Sequence, residues 1–352
     1  MRIAMLHATF AVRGGAERYL DDVAAALALR GHEVRVYSDT PRLSARLGER
    51  LPGKLGTGVV HLGDLADPTG LGLRDLRDFR PDVVHLHNWQ GLGVLPVARI
   101  AGRYPTVHTV HDHAILDPNN TLATLGRWRA LDALLRLRSR WILRRYRDVT
   151  LVYAAQRTRD RIRAGVRDRL LPMAVPGRPV PLPPGRRDVF LYLGALSPHK
   201  GLGGLLDAWD PALGTLLVGG AGPMRRAVEA AGESVCYLGY LDDAGKRAAF
   251  ARAGWLVFPS RGAETFGLVC AEALAAGRPV IAPVTARPPM ATPGSLLLYD
   301  RPADLHGMLS RAAAMPVAEY AAMAAAAAAD GRALDWDRHV EALLAIYRDA
   351  AS

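Results

Sequence analysis

Short apolar runs rich in β-branched residues alternate with helix-like segments from the first residue almost to the last, a rhythm that few architectures satisfy. "RIAMLHA" is followed by a helical pattern from Ala16 to Arg30, by Gly31 as a helix stop, and by "EVRVYS". The same succession returns in "PDVVHLH", "TVHTVHD" and "VTLVYA". Strand, helix, strand in this order implies right-handed crossovers and a parallel sheet with helices on both faces, so the fold class is α/β.

Residues 172–187, "PMAVPGRPVPLPPGRR", interrupt the rhythm with six prolines and no apolar period. Proline supplies no backbone donor and fixes φ, so neither a regular helix nor a central strand fits there. The segment reads as a linker between a domain of residues 1–171 and a second of residues 188–335. The strand pattern restarts in the second with "DVFLYLGAL", "GTLLVGG", "SVCYLGY", "WLVFPS", "RPVIAP" and "SLLLYD". A chain of 352 residues is long enough for two such domains. In residues 336–352, Val340, Leu343, Leu344 and Tyr347 recur at helical spacing, and this C-terminal helix is free to pack back on the N-terminal domain.

Composition narrows the function less. The formal net charge of +11 suits nucleic acid, an anionic membrane surface or a phosphorylated small molecule. Eight arginines interleave with Leu, Ile, Trp and Tyr between Arg127 and Arg147, either as the solvated face of a helix or as a basic amphipathic helix on acidic lipid. Cys236 and Cys270 have no ligand spacing and are expected as buried thiols. No apolar run is long enough to cross a membrane and the first residues lack a signal-peptide pattern, so the expected location is cytoplasmic, with the inner face of the membrane as an alternative.

Ligands of doubly wound domains bind beyond the carboxyl ends of the strands, where helix N-terminal amides receive anions. Three loops stand in that position. In "FAVRGGAER", Gly14 and Gly15 precede a helix; this is not GxGxxG, so a dinucleotide fingerprint is poorly supported. In "LGALSPHKGLGGLLDAW", Lys200 and Gly201 stand where the next helix begins, so the lysine could neutralise a phosphate. In "WLVFPSRGAETFGLVCAEALAAG", Glu264 falls in the loop, a helix is expected over Gly267–Ala276, and Glu272 lies on it. The amides of Phe266, Gly267 and Leu268 then become first-turn donors, and the two carboxylates suit two parts of one extended ligand. His85, His87, His108, His111 and His113 form a fourth group, whose strand alternation sets His108 and His111 on opposite faces. Strand-end histidines commonly bond a substrate, and no metal site is assigned.

The stretches "LYLGALSPHKG", "LLVGGAGP", "CYLGYL", "VFPS" and "ETFGLVCAEALAAGRPVIA", with "GGAERYL" and "VHTVHD" in the first half, resemble the retaining glycosyltransferases of family 4 in order and spacing. The resemblance implies the GT-B fold, two Rossmann-like domains facing a cleft, with a nucleotide-sugar donor on the C-terminal domain and an acceptor on the N-terminal one. It implies that Glu272 holds the ribose hydroxyls and that Glu264, with the amides of Phe266, Gly267 and Leu268, holds the donor sugar and phosphate. Lys200 would neutralise the diphosphate, Gly15 would approach it, His111 would sit beside the transferred sugar, and Leu241 would contact the base. The implied reaction is hexosyl transfer from a UDP-, GDP- or dTDP-sugar to a hydroxyl of a small or lipid-linked acceptor. It needs neither cofactor nor metal, and nucleic acid is not an expected partner. Two departures stand out: Ala195 occupies the place of a family arginine, and "PVTARPPMATPGS" replaces a glycine-rich segment. Arg261 and Arg13 are candidates for the missing charge. Two rival readings of the same fold are a weakened, basic binding module and a nucleotide-sugar 2-epimerase. The composition hints at a bacterial source.

Overall fold

A computed structural model of the chain describes residues 1–7, 15–38, 73–87, 94–113, 140–141, 143–144, 146–162, 167–176, 181–261 and 264–352, with isolated positions elsewhere. Gly14, Arg13 and most of the arginine-rich segment from Arg127 lie outside the described residues. The chain divides into two compact units, Met1–Pro172 with Asp337–Ser352, and Met173–Trp336.

Among the described residues of the first unit, six strands form one parallel sheet: β1 (Arg2–His7), β2 (Glu33–Ser38), β3 (Val83–Leu86), β4 (Thr106–Val110), β5 (Val149–Tyr153) and β6 (Asp168–Leu170). β1, β3, β4 and β5 are buried almost throughout, which explains their continuous apolar character: helices cover both faces of such a sheet and no side faces water. The order β2-β1-β3-β4-β5-β6 reverses direction between β1 and β3. Among the described residues its helices are α1 (Gly15–Leu29), α2 (Leu73–Phe79), α3 (Val94–Ala101) and α4 (Gln156–Ile162). β6 has no apolar run to announce it; it is a three-residue edge strand held by its ladder to β5, with Leu151 opposite Asp168.

The second unit repeats the plan with β7 (Arg186–Leu193), β8 (Thr215–Gly219), β9 (Val235–Gly239), β10 (Ala253–Val257), β11 (Val280–Pro283) and β12 (Leu296–Tyr299). Their order is β12-β11-β10-β7-β8-β9, so the reversal falls between β7 and β10. The helices are α5 (Leu202–Asp207), α6 (Arg225–Glu229), α7 (Asp243–Arg252), α8 (Leu268–Ala275), α9 (Leu305–Ala313) and α10 (Val317–Ala333). β7 starts inside the expected linker: Arg186 pairs with Ala253, and the Arg187 carbonyl accepts from the Trp255 indole at 3.2 Å, so residues 172–187 end two positions earlier as irregular chain. The proline segment is held to this unit by the buried Arg278, which donates to the carbonyls of Pro183 at 2.6 Å and Phe250 at 2.8 Å. The loop that departs from the family's glycine-rich pattern is held by Asp330 instead, whose Oδ2 accepts from the Thr292 amide and hydroxyl and from the Ser295 hydroxyl.

The last helix, α11 (Trp336–Ala351), belongs to the first unit from Asp337 onward. Val340, Leu343, Leu344 and Tyr347 are all buried, His339 meets Tyr19 at 2.8 Å, and Arg30 reaches Asp337 at 2.6 Å. Cys270 is buried but Cys236 only half-buried, a departure from the expected pair of buried thiols; neither forms a disulfide.

Candidate functional site

In an open α/β sheet the loops leaving two neighbouring strands diverge where the strand order reverses, and a crevice opens at their carboxyl ends. In the second unit that point lies beyond Leu193 and Val257, the ends of β7 and β10. Two of the expected residues meet there. β7 leads through Ala195 and a single 3-10 turn, Pro198–Lys200, into α5. Gly201 makes this entry possible: its φ of +76° is left-handed, and a Cβ there would lie 1.8 Å from the Pro259 carbonyl oxygen. The close approach sets Lys200 beside the chain leaving β10, where its Nζ donates to Glu264 Oε1 at 2.7 Å. The Ser260 hydroxyl donates to the same oxygen at 2.5 Å. The Glu264 side chain is 14% exposed and that of Lys200 32%, so the pair is partly shielded yet reachable. Sequence reasoning missed Ser260, whose signal was its place next to the strand end.

α8 begins one residue later than expected. Gly267 has φ +84°, which is not helical, and serves as the N-cap; its carbonyl receives the amides of Cys270 at 2.9 Å and Ala271 at 3.3 Å. Phe266 is buried beside it, and Leu268 opens the helix. Glu272 lies in the second turn, where its Oε1 accepts from Lys246 Nζ of α7 at 2.8 Å. Lys246 is a second partner that the sequence did not single out. Leu241 follows β9 and precedes Asp242, which caps α7 by accepting from the Gly245 amide at 2.8 Å. The two glutamates therefore occupy separate niches, each with its own lysine.

Ala195 is exposed, and its carbonyl accepts from the Tyr192 hydroxyl at 2.8 Å. Burial, helped by the Glu264 charge, pushes that phenol above its ordinary range and keeps it a donor. Arg261 donates its amide to the His199 carbonyl at 3.1 Å. Its charge acts on Tyr299 at the end of β12, two strands from β10 on the side away from β7; burial outweighs it and holds the Tyr299 hydroxyl up at about 12.

The first unit brings His7, His85, His87 and His111 together at the corresponding reversal, near the ends of β1 and β3. His7 Nε2 donates to Glu17 of α1 at 2.8 Å. His85 and His87 share one face of β3 and its end, with ring centroids 4.0 Å apart. His87 Nδ1 and His111 Nε2 lie 3.2 Å apart, with the rings stacked at 17°. Burial lowers His111 to about 3, with His7 adding to the effect and Glu17 opposing it, so the imidazole is neutral near pH 7. His108 turns elsewhere, toward Tyr146 at 5.8 Å. Gly15 is the exposed first residue of α1. Among the described residues, no three His, Cys, Asp or Glu side chains converge as a metal-ligand set, and no single helix is long and apolar enough to cross a membrane.

Two family models cover this pattern: Glycosyltransferase Family 4 over residues 13–190 and Glycosyl transferases group 1 over residues 187–325. The chain belongs to glycosyltransferase family 4. This family 4 glycosyltransferase is similar to the D-inositol 3-phosphate glycosyltransferase of Mycolicibacterium paratuberculosis, with 29% identity over 96% of the chain and 86% of the relative. Its fold is that of sucrose-phosphate synthase from Thermosynechococcus elongatus, with a TM-score of 0.77, 19% identity and full coverage of both chains. HepE of Anabaena, solved with UDP and glucose, shares it at a TM-score of 0.67 and 18% identity over 98% of each chain. These neighbours identify the GT-B fold, and the family identifies a glycosyltransferase, an enzyme of sugar transfer.

Proposed function

We propose that this glycosyltransferase moves a hexose-type sugar from a nucleoside diphosphate to an acceptor hydroxyl with retention of anomeric configuration and without a divalent metal. The observation that carries the reading is the Lys200–Glu264–Ser260 group at the β7/β10 reversal, at the entrances of α5 and α8. Breaking the bond between the anomeric carbon and the diphosphate oxygen leaves negative charge on the leaving group. Lys200 and the first-turn amides around Gly267 and Leu268 offset that charge, which is the task a metal would otherwise perform. The departing phosphate oxygen takes the proton of the acceptor hydroxyl as the new bond forms on the same face, so no protein nucleophile is consumed.

Glu264 is assigned to the hydroxyls of the transferred sugar and Glu272 to the ribose. Phe266, Gly267 and Leu268 surround the phosphates, Leu241 meets the base, and Gly14, Gly15 and His111 serve from the first unit. In that assignment residues 173–336 carry the donor and the first unit carries the acceptor. The neutral His111 can exchange a hydrogen bond with the moving sugar without bringing a second positive charge to an oxocarbenium-like centre. The similarity to an inositol 3-phosphate glycosyltransferase and to a structure solved with UDP and glucose supports a nucleotide-sugar donor and a polyol acceptor.

Thermal shift against UDP-, GDP- and dTDP-sugars tests the donor site: one of them should stabilise the protein, and no response to any nucleoside diphosphate would overturn the assignment. Turnover unchanged by EDTA and an α-linked product from an α-linked donor, read by proton NMR, are the expected companions.

A further inference from the structure

The histidines of the first unit are more tightly organised than His111 alone requires. His87 directly follows β3 and is 1% exposed. Its Nδ1 faces His111 Nε2 at 3.2 Å, and because both rings are neutral, one nitrogen of this pair donates and the other accepts. The choice follows from the far side of His87. Its Nε2 is buried with no hydrogen-bond partner among the described residues. If His111 were the donor, His87 would carry its own hydrogen on that Nε2, an orphaned buried N–H. If His87 donates from Nδ1, Nε2 is left as a bare lone pair, the cheaper of the two states, because buried orphaned N–H groups are rarer than under-used acceptors.

The His87 ring is also held from behind. His85 lies 4.0 Å away, centroid to centroid, and is clamped by the Tyr347 hydroxyl of α11 at 2.6 Å and by the Thr109 hydroxyl of β4 at 2.7 Å. Tyr19 of α1 packs beside both rings, its centroid 5.8 Å from His87 and 5.4 Å from His111, and its hydroxyl meets His339 at 2.8 Å. His339 Nδ1 donates to the Pro172 carbonyl, so its Nε2 accepts from Tyr19. Three elements thus fix the donor's ring before His111 is reached.

We propose that His87 is a positioning residue: its Nδ1–H binds His111 Nε2, fixing His111 as the tautomer with hydrogen on Nδ1 and turning that N–H toward the transferred sugar. The tautomer rests on the geometry here; its use in turnover rests on the role given to His111 under the proposed function.

Asparagine carries an amide nitrogen near the position of histidine Nδ1, and glutamine one near Nε2. His87→Asn should keep kcat within about threefold, whereas His87→Gln and His87→Phe should lower it by about tenfold or more with donor KM unchanged, as expected when a catalytic imidazole loses its tautomer. Nitrogen-15 NMR of the resting protein, with His111 identified by the spectrum of His111→Ala, should find hydrogen on its Nδ1. Equal turnover in the three His87 variants, or hydrogen on Nε2 of His111 in the wild type, overturns the proposal. Undiminished turnover in His111→Ala would instead sink the role assigned to His111, while the NMR measurement still decides the tautomer.

Discussion

Glu264 and Glu272 are eight positions apart in sequence and lie in separate niches, each with a different lysine. Lys200 and Ser260 share one oxygen of Glu264, and Lys246 takes one of Glu272. Glu272→Ala should weaken binding of the free nucleoside diphosphate by about tenfold to a hundredfold, the range of one or two charged hydrogen bonds. Glu264→Ala should leave that affinity within about threefold and lower kcat; calorimetry and steady-state kinetics separate the two, and equal losses of nucleotide affinity would contradict the division. Gly201 makes a sharper test of the geometry. Alanine there must adopt a left-handed φ and displace the Pro259 carbonyl, so Gly201→Ala should cost about 2–4 kcal/mol in urea denaturation and lower kcat through Lys200. The sequence made both glutamates, Lys200 and the glycine before α8 legible, since each stands just beyond a strand pattern. It could not reveal Ser260 or Lys246, because their partners are set by which loops the sheet order brings side by side.

At the scale of elements, the strand segments and the three helices that periodicity bounded lie close to where it set them, and the departures have causes. β6 has the sequence Asp-Arg-Leu and is a strand only because β5 offers an open ladder edge. β7 reaches back into a proline-rich stretch because Arg186 and Arg187 find partners on β10 and its neighbours. The loop before β12 shows the same substitution of tertiary contact for local signal. In the segment that stands in place of the family's glycine-rich one, the buried Asp330 carboxylate on α10 collects the donors of Thr292 and Ser295. Asp330→Ala would remove the acceptor of the Thr292 amide and hydroxyl and leave the Ser295 hydroxyl only the Thr292 carbonyl, and should cost about 2–4 kcal/mol, read as a lowered midpoint in chemical denaturation. Asp330→Asn should cost less, since it retains one acceptor oxygen. Donor binding at Lys200 should change little in either variant, because the loop lies beyond β11 rather than at the β7/β10 reversal.

For the whole molecule the histidines divide the two units. Of the eleven in the chain, His85, His87, His108, His111 and His339 are kept neutral by burial in the first unit, with His108 and His111 lowered to about 3 and His339 to about 4. The second unit has His199 and His306, both exposed. An unfolded chain takes up these protons near pH 6.5 and the native unit only well below that, at about 3 for His108 and His111 and about 4 for His339, so the unfolded state binds more protons in between. Native stability therefore falls as pH drops through that window, by up to about 1.4 kcal/mol per pH unit for each histidine. Circular dichroism on acid titration should show a first transition below pH 6 that the separated histidine variant His108→Asn makes shallower; a single transition below pH 4 would contradict it. Local pattern alone determined two α/β units, their strands apart from β6, the glutamates and the last helix, because periodicity of 2.0 and 3.6 records which faces meet a core. Only the tertiary structure decided which lysine each glutamate takes, that α11 joins the first unit, and that His87 stands behind His111. Those outcomes depend on strand order and on contacts across as many as 320 positions, such as Tyr19 with His339, and no short window of sequence contains both partners.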